Sequence, residues 1–167
     1  MTLSMYQAGI PVVMRYLNNL STLIDKAAAH CAARKIDPTV LVNYRLTPDM
    51  LPFGRQVQIA TDQVKGMAAR LAGVEVPSYP DTEATFDELK ARIAKTVAFL
   101  GTFKADQIDG TEDKEIALKA GAAEFKFKGD DYLVGFVLPN FYFHVTTAYA
   151  ILRHCGVEIG KRDFLSA

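Results

Sequence analysis

The sequence has no tryptophan and only two cysteines, Cys31 and Cys155, among its 167 residues. Neither cysteine stands in a CxxC or CxxH spacing, and two thiols in a chain of this length do not make a disulfide framework. Each is flanked by residues typical of a helix, where an unpaired cysteine usually packs as a small apolar side chain. We therefore expect both cysteines to be structural.

The chain has no excess of charge of either sign and no long apolar run. Basic and acidic residues number 19 each, and no segment gathers lysine and arginine into a stripe, so we expect no nucleic-acid partner. No run approaches the ~20 apolar residues that cross a bilayer. The N-terminus lacks the charged and apolar regions of a signal peptide. We expect no membrane segment and a cytoplasmic location.

Common catalytic motifs are also missing. The sequence contains no GxGxxG, GxxxxGK[ST], HExxH or GxSxG pattern, which are the usual signatures of dinucleotide, nucleoside triphosphate, zinc-protease and serine-hydrolase sites. No reaction can be assigned from a motif.

Apolar residues recur every three or four positions in four long segments, and this spacing predicts four amphipathic helices. The predicted helices run from Ser4 to Arg34, Phe53 to Leu71, Phe86 to Lys104 and Asp131 to Cys155. Capping boxes mark the starts of the first and third helices, and glycines end the second and fourth. Asp37-Pro38 predicts a further short helix that ends near Asn43.

The spacing of the apolar residues changes between the third and fourth helices. In EIALK and EFKFK, apolar residues alternate with polar ones, which predicts two short strands joined through AGAA. The pattern as a whole predicts one mainly α-helical domain over residues 1–167. We expect a four-helix up-down bundle with a small β-hairpin between the third and fourth helices.

The fourth predicted helix carries polar residues where a core is expected. Its apolar stripe includes three polar members in a row, Asn140, His144 and Thr147. Buried amides and imidazoles cost a few kcal/mol unless they are bonded, so each needs a partner. Neighbouring side chains, ordered water, a ligand and a metal ion are the alternatives.

The second predicted helix offers partners for these residues. Gln58 and Asp62 stand four positions apart on its stripe or flank. If the second and fourth helices are neighbours, they form a polar ligand pocket from Gln58, Asp62, Asn140, His144 and Thr147. His144 is the one member that exchanges protons near neutral pH, which makes it the best catalytic candidate. A core histidine bonded only to its neighbours is the alternative.

The segments ARKID, PDMLPF, QVQIATD and NFYFHVTTAYAILRHCGV resemble the DinB-like (YfiT-like) superfamily of four-helix bundles. They resemble more closely a bacterial branch of it that is described only as a domain of unknown function, DUF1993. The likeness covers nearly the whole chain and implies no established activity. For the wider superfamily it implies a divalent metal, commonly nickel or zinc, on three histidines, and in some relatives a thiol-dependent transferase or isomerase activity.

The resemblance places the three metal ligands on Gln58, Asn140 and His144, so only one of them is a histidine. Amide oxygens are poor ligands for nickel or zinc. We therefore expect no cofactor, or at most a weakly bound divalent metal at these three residues.

Three functions remain open from the sequence. The first is a protein that binds a small molecule in the polar pocket without the three-histidine metal site. The second is a divalent-metal-dependent, thiol-transferase-like enzyme with an atypical ligand set. The third is a non-catalytic structural protein, in which the polar residues fix the register of the helices. Bundles of this kind often pair helix to helix, so we expect a homodimer.

Overall fold

The computed structural model describes residues 3–120 and 123–166. The first half of the chain forms helices α1 (Met5–Ala8), α2 (Ile10–Arg34), α3 (Pro38–Val42) and α4 (Phe53–Ala72). The second half begins with α5 (Phe86–Leu100) and α6 (Ala105–Ile108), followed by strands β1 (Glu115–Ala120) and β2 (Ala123–Lys128). A π-helical segment (Asp131–Val137) leads directly into α7 (Leu138–His154), and α8 (Lys161–Leu165) follows. The fold is mainly helical with a small antiparallel sheet, as predicted.

Most helix boundaries follow the predicted signals. Both capping boxes form, at Ser4 and at Thr85, and Gly73 ends α4 with φ of 74°. One difference lies at Gly9, which separates α1 from α2, so the first predicted helix is two helices. The third predicted helix ends at Leu100, earlier than expected.

Strands β1 and β2 pair so that Ile116 lies opposite Phe127 and Leu118 opposite Phe125. The side chain of Ile116 is buried, so one face of the ribbon packs on the helices. The predicted turn in AGAA includes residues 121–122, which lie outside the described residues.

Helices α4 and α5 run in the same direction, which corrects the predicted up-down alternation. Phe53 and Phe86, near the two helix starts, have ring centroids 6.1 Å apart, and further along Arg92 bonds to Thr61. The reason is the crossover, residues 73–85. If extended it spans at most about 45 Å, which exceeds the length of about 30 Å of a 20-residue helix such as α4. It therefore returns along the bundle before α5 begins.

The core lies between α2, α4, α5 and α7. Apolar side chains from all four helices have 0–1% of their surface exposed, among them Leu17, Leu20, Ile24, Val57, Val64, Leu89, Ile93, Phe141, Val145 and Ile151. No helix in the described part of the chain is long and apolar enough to cross a membrane.

The buried face of α7 is rotated from the predicted one. Its centre consists of Phe141, Val145, Ala148 and Leu152, which are fully buried, while Asn140 is only half-buried on the flank. The cause is the π-helical segment before α7, because each turn with i→i+5 bonding takes up one more residue than an α-helical turn. Counting by α-helical steps from Leu133 therefore places Asn140 too near the centre of the face, although the predicted His144, Thr147 and Ile151 are buried.

Candidate functional site

His144 lies in the interface between α4 and α7, with 8% of its surface exposed. Its Nδ1 is 2.7 Å from Oε1 of Gln56 on α4. The amide nitrogen of Gln56 in turn donates to the backbone carbonyl of Leu51, at 2.9 Å. Because the Gln56 nitrogen is directed at a carbonyl, its oxygen must face His144 and can only accept. Nδ1 of His144 therefore carries the hydrogen.

This tautomer leaves Nε2 of His144 with a free lone pair. Burial lowers the pKa of His144 below its ordinary value, so the ring is neutral near pH 7. Nε2 has no hydrogen-bond partner among the described residues, and it is not fully enclosed. A nitrogen in this state accepts a hydrogen bond or a proton from a molecule that reaches it.

Other residues of α7 surround the imidazole. Asn140, one turn before His144, is half-buried, and its carboxamide makes no hydrogen bond to the described residues. Phe143 is 57% exposed, and its ring packs edge-on against His144 with centroids 5.3 Å apart. Thr147 donates to the Phe143 carbonyl at 2.7 Å, so its hydroxyl hydrogen is used within the helix. We call Asn140, Phe143 and His144 the α7 surface.

Gln58 and Asp62 lie elsewhere. Residues i and i+2 of a helix lie about 200° apart around its axis. Gln58 therefore points away from the side of α4 that carries Gln56. Gln58 accepts from Arg55 at 2.6 Å and donates to Glu83 at 2.9 Å. Asp62 has an oxygen 2.6 Å from Nζ of Lys65. The structure therefore places the predicted pocket residues in two groups, one on α7 and one beneath the crossover.

Arg92 of α5 is the centre of the second group, and only 1% of its side chain is exposed. Its Nε donates to Thr61 at 2.8 Å and its Nη1 to the Pro80 carbonyl at 3.1 Å. Its guanidinium also pairs with Asp62 at 2.9 Å, Asp81 at 3.1 Å and Glu83 at 3.2 Å. Two of these carboxylates belong to the crossover, so Arg92 attaches the crossover to α4 and α5.

The charges in this group compensate one another. Burial raises the pKa of Asp81, but the hydrogen bonds and charges of Arg55 and Arg92 outweigh it and hold that pKa below its ordinary value. The ring of Tyr79 lies 4.0 Å from Nζ of Lys65 and 4.1 Å from Nζ of Lys95. We interpret this group as the anchor of the crossover.

Comparison with known proteins agrees with this architecture. Residues 5–165 match the family described as Domain of unknown function (DUF1993). The chain belongs to this family. It is also similar to a crystal structure of a DinB family member protein from Shewanella denitrificans, with a TM-score of 0.88 and 37% identity over 97% of this chain and 92% of that chain. These findings confirm the predicted resemblance to DinB-like proteins. No curated protein matches the sequence.

This DUF1993 chain does not fit a three-histidine metal site. The predicted ligand positions Gln58, Asn140 and His144 do not converge, because the Gln58 carboxamide is held by Arg55 and Glu83. Across residues 3–120 and 123–166, no group of three His, Cys, Asp or Glu side chains is arranged to hold a metal ion. The donor set at His144 is one imidazole beside amide groups, which nickel and zinc bind weakly.

Gln56 and Arg92 are two of the buried polar residues that were not predicted, although the sequence signals both. Gln56 precedes Ala60 by four residues and Val64 by eight, so it lies on the buried stripe of α4. Arg92 follows Leu89 by three residues, and it is 3% exposed. Residues three or four positions apart share one face of a helix, so the burial of both positions follows from their spacing to these apolar residues.

Proposed function

We propose that this chain binds a small polar molecule at the α7 surface, without the three-histidine metal site of the wider superfamily. The observation that carries the proposal is the hydrogen-bond chain from the Leu51 carbonyl through Gln56 to His144. It fixes the imidazole and directs its one unbonded nitrogen away from the protein's own partners. This nitrogen is accessible and has no partner among the described residues, so it can accept a hydrogen bond from a ligand.

The groups on this surface indicate what the ligand offers. Nε2 of His144 accepts from an O–H, N–H or S–H group. The carboxamide of Asn140 both donates and accepts, and the exposed ring of Phe143 supplies an apolar contact. His144 is the best candidate for a general base, because a neutral imidazole takes up a proton at neutral pH. Asn140 then orients the molecule.

The proposal is tested with native mass spectrometry of protein purified without an affinity tag. We expect a small molecule that is lost on denaturation, and we expect His144→Leu and Asn140→Leu to reduce its occupancy at least about tenfold, as loss of a hydrogen bond to a site of this kind predicts. His154→Gln is the control, since His154 lies on the same helix but is exposed and bonds to Tyr44. Equal occupancy in His144→Leu and in the control contradicts the proposal.

Phenol is a defined probe if no molecule is retained on purification. It carries one hydrogen-bond donor and an aromatic ring, which match His144 and Phe143. We expect saturable shifts of the His144 ring resonances on titration with phenol, and much weaker binding in Phe143→Ser at the same concentrations. Unsaturable shifts that are equal in both proteins count against the site.

Elemental analysis separates this function from the metal-dependent alternative. Under the proposal, protein dialysed without chelator contains only substoichiometric nickel or zinc. About one equivalent of either metal, lost in His144→Leu, would instead support a divalent-metal-dependent enzyme of the thiol-transferase type with an atypical ligand set.

A further inference from the structure

A cavity of about 530 Å³ lies between the C-terminal half of α2 and the segment that links α7 to α8. The α2 side is one helix face, made of Lys26, Ala29, His30, Ala33 and Arg34. The facing side is residues 156–158. Twelve residues separate Gly156 from His144, about 18 Å along a helix, so this cavity is separate from the α7 surface.

Basic side chains follow one another along the α2 side, and two of them lack partners. Arg34 forms no ion pair or side-chain hydrogen bond with the described residues. Nε2 of His30 is buried and also has no hydrogen-bond partner among them. Lys26 differs, because its Nζ is 2.5 Å from a carboxylate oxygen of Asp163. The exposed guanidinium of Arg34 and the enclosed Nε2 of His30 therefore both lie at the cavity without a partner among the described residues.

The side chains of Arg34 and His30 both lie close to Gly156. Its φ is 86°, a conformation that residues with a side chain rarely adopt. A Cβ at this position would lie 3.7 Å from Cε1 of His30 and 3.8 Å from Nη1 of Arg34. Both basic side chains thus approach the same stretch of bare backbone.

We infer that this cavity binds a small anion through a carboxylate or phosphate group, with Arg34 and His30 as the donors. The planar guanidinium matches the spacing of two anionic oxygens. The volume is within the range of small-molecule sites. The α2 face offers the small side chains of Ala29 and Ala33 beneath the basic groups, which leaves room for the rest of the ligand.

Two carboxylates also face this region. Glu158 lines the cavity, and Asp163 neutralises Lys26. The charge that attracts an anion is therefore that of Arg34, His30 offers a hydrogen bond, and Glu158 opposes binding. Substitutions of Arg34 and His30 on α2 should therefore weaken anion binding, whereas substitution of Glu158 on the facing segment should tighten it.

The test is an NMR titration of the full chain with inorganic phosphate and, separately, with succinate, which follows the backbone amides of residues 156–158. We expect saturable binding of at least one of the two anions. Arg34→Gln and His30→Gln should each weaken it about tenfold or more, since hydrogen bonds to charged groups are strong. Glu158→Gln should tighten it about fivefold, because a repelling charge at the surface is removed.

Arg153→Gln is the matched control, because Arg153 is an exposed arginine near the end of α7 that does not line the cavity. It should change the affinity less than about twofold. Saturation with phosphate alone, or with succinate alone, supports the inference and identifies the anionic group. Equal effects of Arg34→Gln and Arg153→Gln, or no saturable shift with either anion, overturn it.

Discussion

At the scale of single residues, Gln56 holds the His144 imidazole in place. It is 1% exposed and bonds both the Leu51 carbonyl and His144. Gln56→Leu removes the partner of the buried His144 imidazole and of the part-buried Leu51 carbonyl, at a cost of up to about 1–3 kcal/mol each. We expect the free energy of unfolding, measured with urea, to fall by about 2–4 kcal/mol.

Gln63→Leu is the control for this substitution. Gln63 is also on α4 and half-buried, but its side chain makes no hydrogen bond to the described residues. The change should alter stability by about 0.5 kcal/mol or less. Equal stability of the two variants would contradict the hydrogen-bond chain at Gln56.

His144 should make the stability depend on pH. Burial lowers its pKa below the value of 6.5 that it has in an unfolded chain. Below pH 6.5 the unfolded chain takes up a proton that the folded protein resists, so the unfolded state is favoured as the pH falls. The contribution of neutral His144 is fully present above pH 6.5 and is lost on acidification.

The measurement is the difference between the urea midpoints at pH 7.5 and pH 5.5. We expect a smaller difference in His144→Leu than in the wild-type chain. Carboxylates with lowered pKa values, such as Asp81, act at lower pH, so the window around pH 6 reports mainly on histidine. The same difference in both proteins would show that His144 titrates normally.

The sequence predicted the burial of His144 but not the residue that bonds it. His144 was expected to be buried and bonded, since a polar residue within an apolar stripe needs a partner. Gln58 and Asp62 were the residues of the second helix expected in its pocket, but the side chain that bonds His144 is Gln56. The two glutamines differ by two positions, and helix periodicity cannot choose between them until the neighbouring helix is placed.

At the scale of structural elements, the crossover depends on Arg92. Arg92→Met removes the buried cation that joins Asp62, Asp81 and Glu83, while Asp62 keeps Lys65 and Asp81 keeps Arg55 as partners. The pairs with partly exposed carboxylates contribute little, so the loss comes mainly from the buried bonds to Thr61 and the Pro80 carbonyl and should be about 1–3 kcal/mol. We expect that loss in urea denaturation, together with faster proteolysis within residues 73–85.

Lys90→Met provides the matched control on α5. Lys90 pairs with Asp25, but both side chains are partly exposed, at 34% and 58%. Exposed pairs contribute about 0–1 kcal/mol, so this variant should keep nearly the wild-type stability and protease resistance. Similar losses in both variants would mean that Arg92 is not the anchor.

Helix ends were predictable, whereas helix directions were not. Ser4, Asp37 and Thr85 cap helices through local hydrogen bonds that depend only on nearby residues. The direction of α5 depends on where the crossover attaches, and an apolar stripe looks the same in either direction. The π-helical segment was missed for a similar reason, because no local signal distinguished it from the start of α7.

At the scale of the whole molecule, we expect the chain to form a homodimer through the exposed edge of Phe143, which leaves Asn140 and His144 beside the interface for the ligand. Phe143 is 57% exposed, and large aromatic residues are enriched at protein interfaces. Light scattering after size exclusion should give twice the chain mass of 18.4 kDa, and Phe143→Ser should give the monomer mass.

Val134→Ser is the control for the dimer, because Val134 is 59% exposed in the π-helical segment. We expect it to remain dimeric. A monomeric wild-type chain would exclude a homodimer, and dimers in both variants would place the interface on another surface.

Family membership explains the fold of the whole chain but not its activity. The helical architecture is shared with a DinB family member at 37% identity. The donor atoms at the expected metal positions differ, with Gln58 and Asn140 where the superfamily resemblance implies histidine. A fold is determined by many buried contacts, while a site depends on a few side chains, so the fold was the more predictable of the two.

The most direct test of the account is the set of ¹⁵N chemical shifts of the His144 ring, measured by NMR at pH 7 in protein purified without tag or chelator. A proton on Nδ1 and a bare Nε2 would show the acceptor on which the proposed site depends. A proton on Nε2, a doubly protonated ring or the shift of a metal-bound nitrogen would contradict it.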